Sequence, residues 1–107
     1  MMSSKDILNQ YSQIEYQATT DNQWYKLSDL YPFAFPLKDS SDVVVFDTGG
    51  ERGDFVHCKI SDGKLFKQDF VTSKWKAITD VRINDGLEKA NPMPGIVAVE
   101  EPFYAHL

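Results

Sequence analysis

A chain of 107 residues matches the common size of one domain and is long enough to bury a single core without staples. With 42% hydrophobic, 13% aromatic and 25% charged residues, it has the composition of a folded globular protein and excludes a disordered one. Its net charge of −5 points away from nucleic acid and anionic membranes and toward cationic partners.

Chain order begins with Met1-Met2-Ser3-Ser4-Lys5-Asp6, which turns polar at once and lacks the apolar stretch of a secretory signal, so a cytoplasmic setting is expected. Ile7, Leu8, Tyr11, Ile14 and Ala18 recur at helical spacing. They predict a helix from about residue 4 to 17, capped by Ser3 or Ser4, with Asp6 in its first turn. Thr19-Thr20-Asp21-Asn22 stops it. From Trp24 to Leu30 two readings stand: a short helix capped by Asp21, or a strand over Trp24-Tyr25-Lys26-Leu27. Tyr31-Pro32-Phe33-Ala34-Phe35-Pro36-Leu37 cannot be a regular helix, because each proline lacks a donor and biases its predecessor to extended geometry. An apolar extended loop is expected there.

The rest reads as strands. Asp42 to Phe46 is β-branched and bounded by turn residues, the pattern of a central strand buried on both faces. Thr48-Gly49-Gly50 breaks it. Phe55–Ile60 and Leu65–Val71 flank Ser61-Asp62-Gly63 as a hairpin. A two-residue loop pairs Ile60 with Leu65, and a three-residue loop pairs Cys58 with Phe66. Lys74 to Ile78 continues the meander, with Trp75 and Ala77 facing away from Lys76 and Ile78, and Val81-Arg82-Ile83 extends it. Asn84-Asp85-Gly86 turns the chain, Leu87–Ala90 suits one helical turn, and Ile96–Val99 reads as a last strand. The fold expected is α+β in one domain: an N-terminal helix packed on a mostly antiparallel sheet, or a small curled barrel carrying a helix.

Few motifs carry chemistry. Val44-Val45-Phe46-Asp47-Thr48-Gly49 resembles the hydrophobic-Asp-Thr-Gly signature of retropepsin-type aspartic peptidases, which implies two Asp47 carboxylates sharing a proton across a homodimer. Gly50 stands where that family carries Ala or Ser, and Pro94-Gly95-Ile96-Val97 runs in the wrong order for its later segment. Arg52-Gly53-Asp54 matches the integrin-binding tripeptide, in a context where turn chemistry explains it. His57 adjoins Cys58, but neighbouring strand residues face opposite ways, which separates a Cys–His pair. Cys58 is the only cysteine and His106 the only other histidine. An intramolecular disulfide is therefore excluded, and no metal site or cofactor is expected. The stretch 59–76 holds five lysines against Asp62 and Asp69, a net +3 that leaves −8 for the remainder. Interleaved Phe66, Phe70 and Trp75 give it a superficial likeness to a single-strand nucleic-acid surface. The surrounding charge argues against that.

Two neighbouring features suggest a surface. Asp39, Asp42, Asp47, Glu51 and Asp54 crowd one stretch, opposed by Arg52, and Tyr31, Phe33 and Phe35 precede them. Aromatics rimmed by charge are the make-up of protein-binding hot spots. Tyr31, Phe33, Phe35, Asp39, Asp42, Glu51 and Asp54 are thus the candidate contacts for a basic protein partner. Finally, Trp24-x-x-Leu27-x-x-Leu30-x-Pro32, Asp42–Phe46, Gly63-x-Leu65-Phe66 and Val71-Thr72-x-x-Trp75-x-x-Ile78 together resemble short phage- and prophage-encoded proteins of unknown function. The likeness spans residues 24–78. It implies an accessory protein of a mobile element and carries across no catalytic residue. Taken together, the sequence favours a non-enzymatic binding protein, such as an acidic inhibitor, an immunity-type protein or a phage accessory factor.

Overall fold

A computed structural model describes residues 1–47 and 55–87. Helix α1 spans Ser4–Asn9. The Asp6 N–H donates to Ser3 Oγ at 3.1 Å, so Ser3 is the N-cap. The helix is far shorter than its periodicity predicts. A 3-10 turn, Tyr11–Gln13, ends it, and Ile14–Gln17 is strand β1. Both geometries place Ile14 inside, which is why spacing alone misleads here. What decides is pairing, since Ile14, Glu15 and Tyr16 lie opposite Ile83, Arg82 and Val81. A strand gains those ladder bonds, and β-branched Ile14 suits it.

The ambiguous stretch holds both of its readings in succession, strand β2 at Trp24–Lys26 and helix α2 at Leu27–Leu30. Asp21 does not cap α2; its carboxylate accepts the Gln23 N–H at 2.9 Å instead. Phe33–Pro36, expected to be a loop, is extended but paired, forming strand β3 against β4, Val44–Asp47. Strands β5 (Phe55–Ser61), β6 (Lys64–Gln68) and β7 (Trp75–Ile83) complete the set. The β5–β6 hairpin takes the two-residue option, with Ile60 opposite Leu65. Asp62 and Gly63 have φ of +54° and +69°, the double left-handed geometry that matches strand twist. The two segments expected at 74–78 and 81–83 are one strand. A register shift between Leu65 and Phe66 leaves Ile78 unmatched on β7, a bulge that bends the sheet.

Every neighbouring pair is antiparallel, in the order β2-β1-β7-β6-β5-β4-β3, and the sheet curls as a half-barrel. Its inner face supplies Ala34, Val44, Phe46, Cys58, Ile60, Leu65 and Val81 to one buried cluster, closed over by Ile7, Tyr11 and Leu27 from the helical segments. Strand β4 lies between β3 and β5 with Val44, Val45 and Phe46 all fully buried, as its sequence predicts. On the outer face Arg82 Nε donates to Glu15 Oε1 at 2.9 Å and lies over the Trp24 ring, tying β7, β1 and β2 together. Among the described residues, no helix is long and apolar enough to cross a membrane. The expected helical turn at Leu87–Ala90 lies mostly outside the described residues, and the strand at Ile96–Val99 wholly so.

Candidate protein-binding surface

The sheet has two faces, and alternation assigns the candidate residues between them. Tyr31 follows α2 and turns inward. Its ring stacks on Phe46, centroids 5.0 Å apart, and its carbonyl accepts the Tyr11 hydroxyl. Burial pushes the Tyr31 phenol above its ordinary value. This residue packs on the core. Phe33 and Phe35 alternate with buried Ala34 and so occupy the opposite, outer face of β3. Phe33 is 46% exposed. In register, Phe33 faces Asp47 and Phe35 faces Val45.

The acidic residues divide between the two ends of the β3–β4 hairpin. Asp47 ends β4 beside Phe33 and Phe55. Asp39 is exposed at the other end, in a turn where it takes φ +64°. Asp42, half-buried, accepts the Ser40 hydroxyl at 3.1 Å while Ser40 Oγ accepts the Val43 N–H. Part of that carboxylate is thus spent on shaping the turn. Glu51 and Asp54 lie outside the described residues, as do Thr48-Gly49-Gly50, Arg52-Gly53 and His106. The arrangement therefore joins Phe33, Phe35 and Asp47 on one face, sets Asp39 and Asp42 at the far end of the hairpin, roughly 16 Å from the Phe33–Asp47 pair along the strand direction, and removes Tyr31 to the other side.

Sequence reasoning missed the continuation of the outer face. Val45 pairs with His57, and Gln68 pairs with Trp75. Lys59 and Phe66 form another cross-strand pair, and Lys59 lies over Trp75 at 4.3 Å. His57 is buried, its ring edge-on to Phe70 at 5.5 Å and its Nδ1 3.3 Å from Gln68 Oε1. Period-two alternation puts each of these residues on the outer side of its own strand. Which strands lie side by side could not be read from it.

Neighbouring Cys58 belongs to the inner cluster, so the two side chains point to opposite faces. Burial pushes its thiol up to about 12, which leaves almost no thiolate at neutral pH to act as a nucleophile. Among the described residues, no group of three or more His, Cys, Asp or Glu is placed to hold a metal ion. No family model, curated protein or solved structure matches the chain.

Proposed function

We propose that this protein is a non-enzymatic protein-binding module, an acidic inhibitor, immunity-type protein or phage accessory factor, that covers a basic surface with Phe33 and the carboxylates of the β3–β4 hairpin. Phe33 is the observation that carries the reading. It is a large aromatic held nearly half exposed on a paired strand, with Asp47 opposite it in register. An aromatic displayed on a rigid element loses little entropy on binding, and adjacent carboxylates favour a cationic rim on the partner. Asp39 and Asp42 extend the negative field along the same hairpin. No chemistry is assigned to this surface.

Affinity capture followed by kinetic binding measurements tests the proposal. With the captured partner, Asp39→Lys combined with Asp42→Lys should slow association and flatten its salt dependence, because exposed carboxylates act within a Debye length of about 8 Å. Phe33→Ala should speed dissociation about thirtyfold, the equivalent of a hot spot near 2 kcal/mol, while barely changing stability. Tyr31→Ala should instead cost about 2–3 kcal/mol of folding stability through its lost packing on Phe46. If Phe33→Ala unfolds the free protein, or if charge reversal leaves association unchanged at low salt, the surface is not the binding site.

A further inference from the structure

Between β6 and β7 the chain makes a tight turn, residues 69–74, that is built to display its apolar residues. The Asp69 N–H donates to the Lys74 carbonyl at 2.9 Å and the Ser73 N–H to the Asp69 carbonyl at 2.8 Å. The Val71 and Thr72 N–H groups both donate to Asp69 Oδ1 at 2.8 Å. Those two bonds hold the Asp69 carboxyl below its ordinary value. The Gln68 amide donates to the Ser73 carbonyl, and Ser73 takes φ +60°. At the tip of this frame Val71 is 94% exposed and Phe70, packed edge-on to His57, is 57% exposed. Lys74 closes the turn. Lys67 and Lys76 stand directly opposite one another a residue pair behind it, an arrangement of like charges that costs stability. None of the three lysines forms an ion pair among the described residues, whereas Lys64 is paired with Asp80 at 2.9 Å.

We propose that this turn docks the protein onto an anionic lipid surface, with Val71 and the exposed part of Phe70 entering the headgroup layer and Lys67, Lys74 and Lys76 facing the phosphates. A convex apolar tip flanked by cations is complementary to such a surface, where binding adds buried apolar area to electrostatic attraction. The charge is carried by lysines on flexible stems, which suit mobile phosphates better than the fixed carboxylate geometry that arginine forks recognise. Trp75 at the base of the turn, with Lys59 over its ring, is the amphipathic kind of side chain that settles at a membrane interface. The whole chain carries −5, yet the attraction is local. Lys67, Lys74 and Lys76 outnumber Asp69, whose carboxylate is spent on the Val71 and Thr72 N–H groups and lies close enough to Lys67 to be lowered by it. Strand β4, with Asp47, lies two to three strand spacings from β6 and β7, roughly 10–14 Å, beyond the Debye length of about 8 Å.

Cosedimentation with vesicles of phosphatidylcholine alone, and of phosphatidylcholine mixed with phosphatidylserine, decides the matter. The full chain should bind only the mixed vesicles, less so as salt rises, with a blue shift in tryptophan emission. Val71→Asp should weaken partition roughly tenfold without altering thermal unfolding, because the residue is exposed. Lys67→Gln, Lys74→Gln and Lys76→Gln should each weaken it about fivefold. Phe33→Ala should leave it unchanged, which separates this surface from the one on β3. Absence of binding to the mixed vesicles, equal binding to both kinds, or undiminished binding by Val71→Asp would each overturn the proposal. So would polyglutamate binding the turn as tightly as the mixed vesicles do, since that outcome assigns the surface to an acidic protein.

Discussion

Cys58 and Tyr11 sit together in the inner cluster, and burial raises the ionisation of both, the thiol to about 12 from an ordinary 9.0 and the phenol further still. The consequence for stability has a definite sign. A group raised in the folded state contributes stability that is fully present below its unfolded value and is lost as pH climbs toward the folded one. For Cys58 that window runs from about pH 9 to about pH 12. Thermal unfolding measured from pH 7 upward should therefore fall off above pH 9, and Cys58→Ala should shrink the fall. The same burial predicts that a thiol reagent at pH 8 labels the native protein only as fast as it opens, and labels it at once in denaturant.

At the scale of elements, the sheet is shaped by its turns and guarded at its edges. The Leu37 N–H donates to the Val43 carbonyl at 3.2 Å, which makes that pair hydrogen-bonded. Counting back by two in the β3–β4 register, Phe35 and Phe33 also bond toward β4, while Ala34 and Pro36 direct their backbone to the free edge. Ala34 is wholly buried and Pro36 has no N–H to offer, so an incoming strand finds few donors there. Strand β2, at the other edge, is only three residues long and carries Lys26. The turn at Asp62-Gly63 sets the register of β5 against β6. A Cβ on Gly63 would meet only the Val81 carbonyl, at 3.9 Å, so Gly63→Ala is resisted by its φ of +69° and not by crowding. It should cost about 1–2 kcal/mol, read as a lowered midpoint in urea at unchanged slope. Asp62→Asn, a residue that tolerates the same geometry, should be neutral or slightly stabilising.

At the scale of the molecule, the contacts that close the fold are long in sequence. Strand β1, at residues 14–17, pairs with β7, which ends at residue 83. A sheet assembled by such pairings folds on the millisecond-to-second scale. Its inner cluster is a single continuous body of apolar side chains, and its one cysteine is a free thiol within that cluster. Unfolding should therefore be a single reversible transition, coincident by circular dichroism and tryptophan emission. Neither reductant nor chelator should move the midpoint. A sharp fall with either would mean that a disulfide or a metal supports the fold.

What could be read from the chain alone rests on local chemistry. The β-branched run at Asp42–Phe46, bounded by turn residues, identified a strand, and Ser61-Asp62-Gly63 between two apolar runs identified a hairpin, because strand propensity and turn geometry depend on neighbours in sequence. Side-chain alternation, equally local, separated His57 from Cys58. Tertiary structure decided the rest. Ile14–Gln17 became a strand because β7 lay ready to pair with it, an advantage no local spacing reveals. Tyr31 and Phe33, two residues apart in one aromatic run, went to the core and to the surface, because the stack on Phe46 captures the first while β3 turns the second outward. The outer face, with its buried His57 and Val45, and the exposed tip at Val71 arise only when β4, β5, β6 and β7 lie side by side. That order follows from which faces bury best against one another over the whole sheet, and so belongs to the folded chain as a unit.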